Sequence, residues 1–256
     1  TFGGTLNGAA ALTLTAAAAN INFDGTVGNA AALTTVTINS AGTIDTDNTF
    51  VSAAQTWTAA TEIQTDGLVT STGTVNWTSP IIDVNTGITA AGQLVDLNAT
   101  GGILTVNGGA ITTTGGNETA GGAIDIDSTG GNVLIGSNLV TSGGVDSLLN
   151  GGHAGGAVTI DIGGGGLLQF LTGADVTTTG SAAAGGGGDG GAGGRVILNT
   201  NNAVITLNDT VITTSGGAGN GDGTQGAGGR VTLSDAVLLA TGTVVIDTGA
   251  TAGTIT

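Results

Sequence analysis

The sequence has no cysteine, no lysine and no methionine, one proline (Pro80), one histidine (His153) and two arginines (Arg195 and Arg230). Without cysteine there is neither a disulfide framework nor thiol chemistry, which is compatible with an extracellular protein. Eighteen acidic residues face those two cations, for a formal charge of −16. Such a balance excludes the counterion displacement by which nucleic acids are bound and docking on anionic lipid. It suits cations, water, glycans, or like chains bridged by divalent ions. Helix formers for exposed faces are scarce: glutamate occurs only at Glu62 and Glu118, and alanine is mostly flanked by glycine or threonine. No apolar run approaches the roughly 20 residues of a membrane span, so no membrane insertion is expected. No signal peptide is legible and the chain opens at Thr1, so a processed protein or a segment of a longer chain is expected.

What is present is glycine, 52 of 256 residues, with abundant threonine, alanine and asparagine. Glycine does not recur every third residue, which excludes collagen. The mean hydropathy of +0.37 and recurrent short runs of Val, Ile and Leu argue against simple disorder. These are β-formers, and the expected class is all-β.

Internal repetition is clear from residue 101 onward. A first class of strand reads Ile103–Val106, Val133–Ile135, Leu167–Phe170, Val204–Leu207 and Val237–Leu239. A second ends on glycine: Ile111-Thr-Thr-Thr-Gly115, Leu139-Val-Thr-Ser-Gly143, Val176-Thr-Thr-Thr-Gly180, Ile212-Thr-Thr-Ser-Gly216 and Val245-Ile-Asp-Thr-Gly249. A third opens on Gly-Gly, at Gly121, Gly155, Gly193 and Gly228, and places Ile124, Val158, Val196 and Val231 in one inward column. Three short strands in fixed order predict a right-handed parallel β-helix, a solenoid with three strands per coil and about nine or ten coils, roughly 45 Å long at strand spacing. The repeated glycines are expected at corners with positive φ. The variable segments 116–120, 144–154, 181–192 and 217–227 are expected to protrude on one side as loops, with Gly185–Gly188 flexible.

Residues 1–100 punctuate differently, at Leu12/Leu14, Ile21/Phe23, Val36/Ile38, Phe50, Trp57, Leu68, Val75/Trp77, Ile81 and Leu94/Leu97 among others. Shorter coils of roughly 20–25 residues are expected there, with the aromatic residues widening the core. Residues 101–256 form the longer, glycine-rich coils of the same continuous solenoid. An uncapped end of such a stack exposes strand edge and core, inviting end-to-end or lateral self-association or continuation by a longer chain.

The stretches Ile21–Asn29, Leu33–Asn39 and Ala53–Thr58, with the Gly-Gly-Arg-Val and Thr-Thr-Ser-Gly-Gly units of the second half, resemble repeats of filamentous-haemagglutinin-like adhesins and other giant β-strand-repeat proteins of bacterial surfaces. The resemblance implies secretion across the envelope and an extracellular or cell-surface location.

Several residues are candidates for chemistry. Asp127, Asp161, Asn199 and Ser234 fall at one outward position of the third class, with Asp125 two residues before Asp127. Of these, Asp125, Asp127, Asp161 and Asn199 are candidate Ca²⁺ ligands. No other cofactor is expected. Arg195 and Arg230 should stack, with Asp189 and Asp222 as candidate counter-charges. His153 reads as a solvent-exposed loop residue without a second histidine for a paired metal site. Threonine pairs such as Thr112/Thr114, Thr177/Thr179 and Thr213/Ser215 suggest an ordered-water face, interrupted at Val140 and Ile246. Asn76, Asn98, Asn117 and Asn208 lie in glycosylation sequons. The expected role is that of a structural or adhesive segment rather than an enzyme. The rivals are a carbohydrate-active β-helix enzyme, disfavoured by the shortage of basic groups, and a glycan- or ice-binding module.

Overall fold

A computed structural model describes residues 1–148, 151–251 and 253–256, with no α-helix among them. The protein is all-β, and its strands join into a single sheet system. Every strand pair is parallel, and each strand bonds to its counterpart one repeat away. The arrangement is solenoid-like, because parallel neighbours must be reached by a long crossover and here the crossover is the rest of the repeat.

Three ladders run through the chain. The third-class ladder passes through Val75–Ser79, Val95–Ala99, Ile124–Ser128, Val158–Ile162, Val196–Asn199 and Val231–Leu233. Ile124, Val158, Val196 and Val231 are successive register partners and all are fully buried. Upstream the same column continues through Val95, Val75, Gln55 and Val36 to Leu12. The first- and second-class ladders likewise continue into residues 1–100. What changes between the halves is repeat length. Asn76 and its neighbour Asp96 are 20 residues apart, whereas Asp161 and Asn199, also one repeat apart, are separated by 38. In the first half some strands run on through the corners, as in Leu33–Thr46 and Phe50–Thr65.

The interior is aliphatic throughout but for Phe170 in the second half and an aromatic stack in the first. Phe2, Phe23, Phe50, Trp57 and Trp77 stack in sequence, with centroid separations of 5.1, 5.2, 4.9 and 4.7 Å. Trp57 and Trp77 are register partners with planes 6° apart. Trp77 Nε1 donates to the buried Gln55 Oε1 at 3.2 Å, which satisfies one indole N–H inside the core.

The parity of several strands differs from the sequence-based expectation. Ile103 and Leu167 are exposed, and the buried column runs Leu104, Val133, Leu168, Ile205. Leu68, Ile81 and Leu94 also face outward, beside the buried Val69, Ile82 and Val95. In the last repeat Ile246, not Val245, pairs with Ile212 and packs on the core, so Asp247 rather than Ile246 follows Thr213 in the outward column. Each difference is a one-residue slip at a position flanked by two aliphatic residues, where alternation alone is ambiguous.

Of the repeated glycines Gly249 has the expected positive φ, at 78°, but the Gly-Gly pairs do not. None of Gly121, Gly122, Gly155, Gly156, Gly193, Gly194, Gly228 and Gly229 has a positive φ. They are required by close backbone approach. A Cβ on Gly156 would lie 1.9 Å from Gly122 O, one on Gly194 1.8 Å from Gly156 O, and one on Gly229 1.9 Å from Gly194 O.

Each long loop is closed at its base by a reciprocal pair of bonds. Thr178 Oγ1 donates to Gly194 O (2.7 Å) while Gly194 N–H donates to Thr178 O (2.5 Å). The same clamp joins Thr113 to Gly122, Thr141 to Gly156 and Thr214 to Gly229. Above the clamps the loops do not splay into solvent but bond to one another. Gly191 N–H donates to Ser181 O in its own loop, and Gly217 N–H of the next loop donates to Gly191 O. Within the stretch expected to be flexible, Gly187 N–H donates to Asn220 O and Gly188 O accepts Asn220 N–H. The loops form a second, glycine-built layer beside the core, satisfying backbone polar groups as a sheet would.

Candidate functional site

The outward surface of the third-class ladder carries columns of side chains, because alternate residues of stacked strands must align. One reads Thr56, Asn76, Asp96, Asp125, Thr159, Ile197, Thr232, and the next Thr58, Thr78, Asn98, Asp127, Asp161, Asn199. The face therefore changes along the stack from hydroxyl-rich to acidic, and beyond the acids come Arg195 and Arg230. Along the acidic part lies an open groove lined by Asn98, Asp127, Thr129, Asp161, Asn199 and Asn201.

Asp127, Asp161 and Asn199 stand on three successive strands in this groove, and Asn199 Nδ2 donates to Asp161 Oδ1 at 2.8 Å. Asp125 belongs to the neighbouring column, between Asp96 and Thr159. The four expected Ca²⁺ ligands thus share a face without forming one tight cluster. Crowding of like charge is visible in the acids. Partial burial, then Asp125, Asp96 and Asp161, push the Asp127 carboxyl up to about 6. Burial and then Asp125 raise Asp96. Asp125 is raised by burial and then by Asp161, against an opposing pull from Arg195. Asn76 Nδ2 donates to Asp96 Oδ2 at 3.1 Å, and Asn98 Oδ1 is buried with no hydrogen-bond partner among the described residues.

Two further clusters lie outside the candidate ligands singled out from the sequence. Asp45, Asp47 and Asp66 converge on the first-class face with one carboxylate oxygen each within 4.8 Å of the others, and Asp66 is held by Gln64 and Asn85. Glu118, Asp146 and His153 converge likewise in the glycine layer. His153 is not a free loop residue: its side chain is 19% exposed and sits against Glu118. Asp47 and Asp66 follow the register partners Thr46 and Thr65, whereas neither alternation nor repeat spacing brings Glu118, Asp146 and His153 together, since the glycine loops differ in length between repeats.

Arg195 and Arg230 precede register partners and are exposed. Among the described residues neither forms an ion pair. Asp189 instead accepts from Thr224 N–H and Oγ1 (2.7 and 2.9 Å), and Arg230 donates to Thr256 Oγ1. Of the sequons, Asn117 is exposed, Asn76 and Asn98 sit in the polar columns, and Asn208 is buried with its Nδ2 donating to Phe170 O at 2.6 Å, leaving no room for a sugar in the folded chain.

No family model, no curated protein and no solved structure matches this chain. The likeness to filamentous-haemagglutinin-like repeats accordingly rests on the sequence motifs alone.

Proposed function

We infer that the chain is a right-handed parallel β-helix with three strands per coil, and that it serves as a structural or adhesive segment of a large extracellular bacterial surface protein. It acts as a rigid rod or as an element of a filament or matrix. The observation that carries this reading is the continuity of three parallel ladders through both halves of the chain, shifted in register only at the corner after Ile38 and after Leu207. Stiffness follows from stacking, and repeated polar columns present many equivalent weak contacts, whose avidity exceeds that of any one. At the C-terminal end Val237 and Leu239, which continue the inward columns of Ile205 and Leu207, are exposed. A further rung, from a continuing chain or a second copy, would cover them. Ca²⁺ at Asp127 and Asp161 would relieve the carboxylate crowding and cross-link rods.

Electron microscopy of the purified protein tests this. Straight rods roughly 45 Å long, or fibres built from them, are expected, and compact globular particles would contradict the proposal. A second reading, glycan binding, draws on the groove and its row of Asn and Asp side chains. It predicts retention on a polysaccharide column that is lost in an Asp127→Ala/Asp161→Ala variant. Turnover of any glycan would move the protein to the carbohydrate-active class.

A further inference from the structure

Away from the groove, two successive glycine loops bring together three side chains of mixed donor type. Glu118 lies between strands Ile111–Thr112 and Ile124–Ser128, and Asp146 and His153 lie between Leu139–Val140 and Val158–Ile162. One oxygen of each acid and one ring nitrogen of His153 lie within 4.8 Å of one another. Glu118 Oε2 and His153 Nε2 face each other at 3.5 Å. Both atoms are shut off from solvent, and neither has a hydrogen-bond partner among the described residues. The two atoms make an ion pair when His153 is protonated, but with a neutral ring presenting its Nε2 lone pair two acceptors face each other, which is costly unless a cation lies between them.

The groups around this centre are already fixed. Glu118 Oε1 accepts from the N–H and hydroxyl of Ser147 and from Leu148 N–H, which orients Oε2 inward. Asp146 is only 2% exposed. Its Oδ2 accepts Gly151 N–H at 3.1 Å from its own loop and Ala184 N–H at 2.9 Å from the next. His153 N–H donates to Ser181 Oγ and its carbonyl accepts Ser181 N–H, at 2.8 and 2.9 Å.

We propose that Glu118, Asp146 and His153 bind a divalent cation of the Zn²⁺ class, which staples consecutive glycine loops together. An imidazole with two carboxylates is a donor set for Zn²⁺ and its neighbours, whereas Ca²⁺ takes oxygen only. In a tetrahedral Zn²⁺ site with usual bond lengths, ligand atoms stand about 3.3–3.6 Å apart. The Glu118–His153 pair already meets that spacing. Closing the third from the 4.8 Å limit takes at most ~1.5 Å of side-chain adjustment. The site is independent of the adhesive reading, since it concerns the loop layer and not the strand faces or the rod's ends.

His153 is the only histidine, so its ring protons are unambiguous by NMR. In the metal-free full chain, one equivalent of Zn²⁺ should shift the His153 ring signals and saturate at one site, while the same concentration of Ca²⁺ leaves them in place. Glu118→Gln, which keeps the Oε1 acceptor, and His153→Gln should each weaken Zn²⁺ binding by about 10-fold or more in calorimetric titration. Ring signals unmoved by equimolar Zn²⁺, or undiminished binding in folded Glu118→Gln, would overturn the proposal. Should either variant fail to fold, the titration of the unmodified protein decides alone.

Discussion

At the scale of single residues the molecule is governed by how closely backbones approach. Gly194 and Gly186 belong to the same repeat but differ sharply in surroundings. A Cβ on Gly194 would lie 1.8 Å from Gly156 O, while one on Gly186 would meet nothing within 4 Å. Gly194→Ala should therefore cost about 3 kcal/mol or more, and Gly186→Ala should stay within about 0.5 kcal/mol, read as shifts in thermal unfolding. Thr178→Val removes the hydroxyl that closes its loop on Gly194 O and should cost about 1–2 kcal/mol. Charge acts in a defined direction at Asp127. Its carboxyl is raised to about 6 in the folded chain from an ordinary 3.8. The folded form thus holds its proton more tightly, giving stability that is present below about pH 4 and lost as pH rises through about 6. Asp127→Asn should raise the melting temperature at pH 7.5 and leave it nearly unchanged at pH 4. The gain should be about 1 kcal/mol once solvent screening is allowed for. A melting temperature lower in the variant at pH 7.5 would show that Asp127 is held by a favourable partner there.

At the scale of elements, the third-class strands of the second half are legible in the sequence because Gly-Gly punctuation sets their register and one aliphatic flank alternates with polar residues. The same punctuation aligns Asp127, Asp161 and Asn199 from their spacing alone. Parity is ambiguous where both candidate inward residues are aliphatic, as at Ile103/Leu104, Leu167/Leu168 and Val245/Ile246. The continuity of the ladders into residues 1–100 is obscured because Phe50–Thr65 turns its corner with no glycine and Leu33–Thr46 with the single Gly42, not with the Gly-Gly pairs that mark the second half. The glycine layer reads from composition as protruding loops, yet a segment that would be mobile in isolation becomes ordered when its N–H groups find carbonyls in the neighbouring loop. Convergence of Glu118, Asp146 and His153 is illegible for a related reason: loops of unequal length carry no shared register. Hydrogen exchange distinguishes the two pictures of the loops. Amides of Gly190, Gly191, Gly194, Gly217 and Gly226, each bonded to a carbonyl, should be protected like strand amides, whereas freely moving loops would exchange within seconds.

At the scale of the whole molecule, everything depends on each repeat lying on its neighbour at one strand spacing, whatever the number of residues between. The absence of cysteine makes paired spin labels clean to introduce. Outward positions Thr56, Asn76, Asp96, Asp125, Thr159, Ile197 and Thr232 are successive register partners. Double electron–electron resonance between labels at Thr56 and Thr232 should give a narrow distribution at about 29 Å, and moving the first label to Asp96 should shorten it by about 10 Å. A broad distribution, or a distance that follows chain length and not the count of repeats, would contradict the stacked architecture.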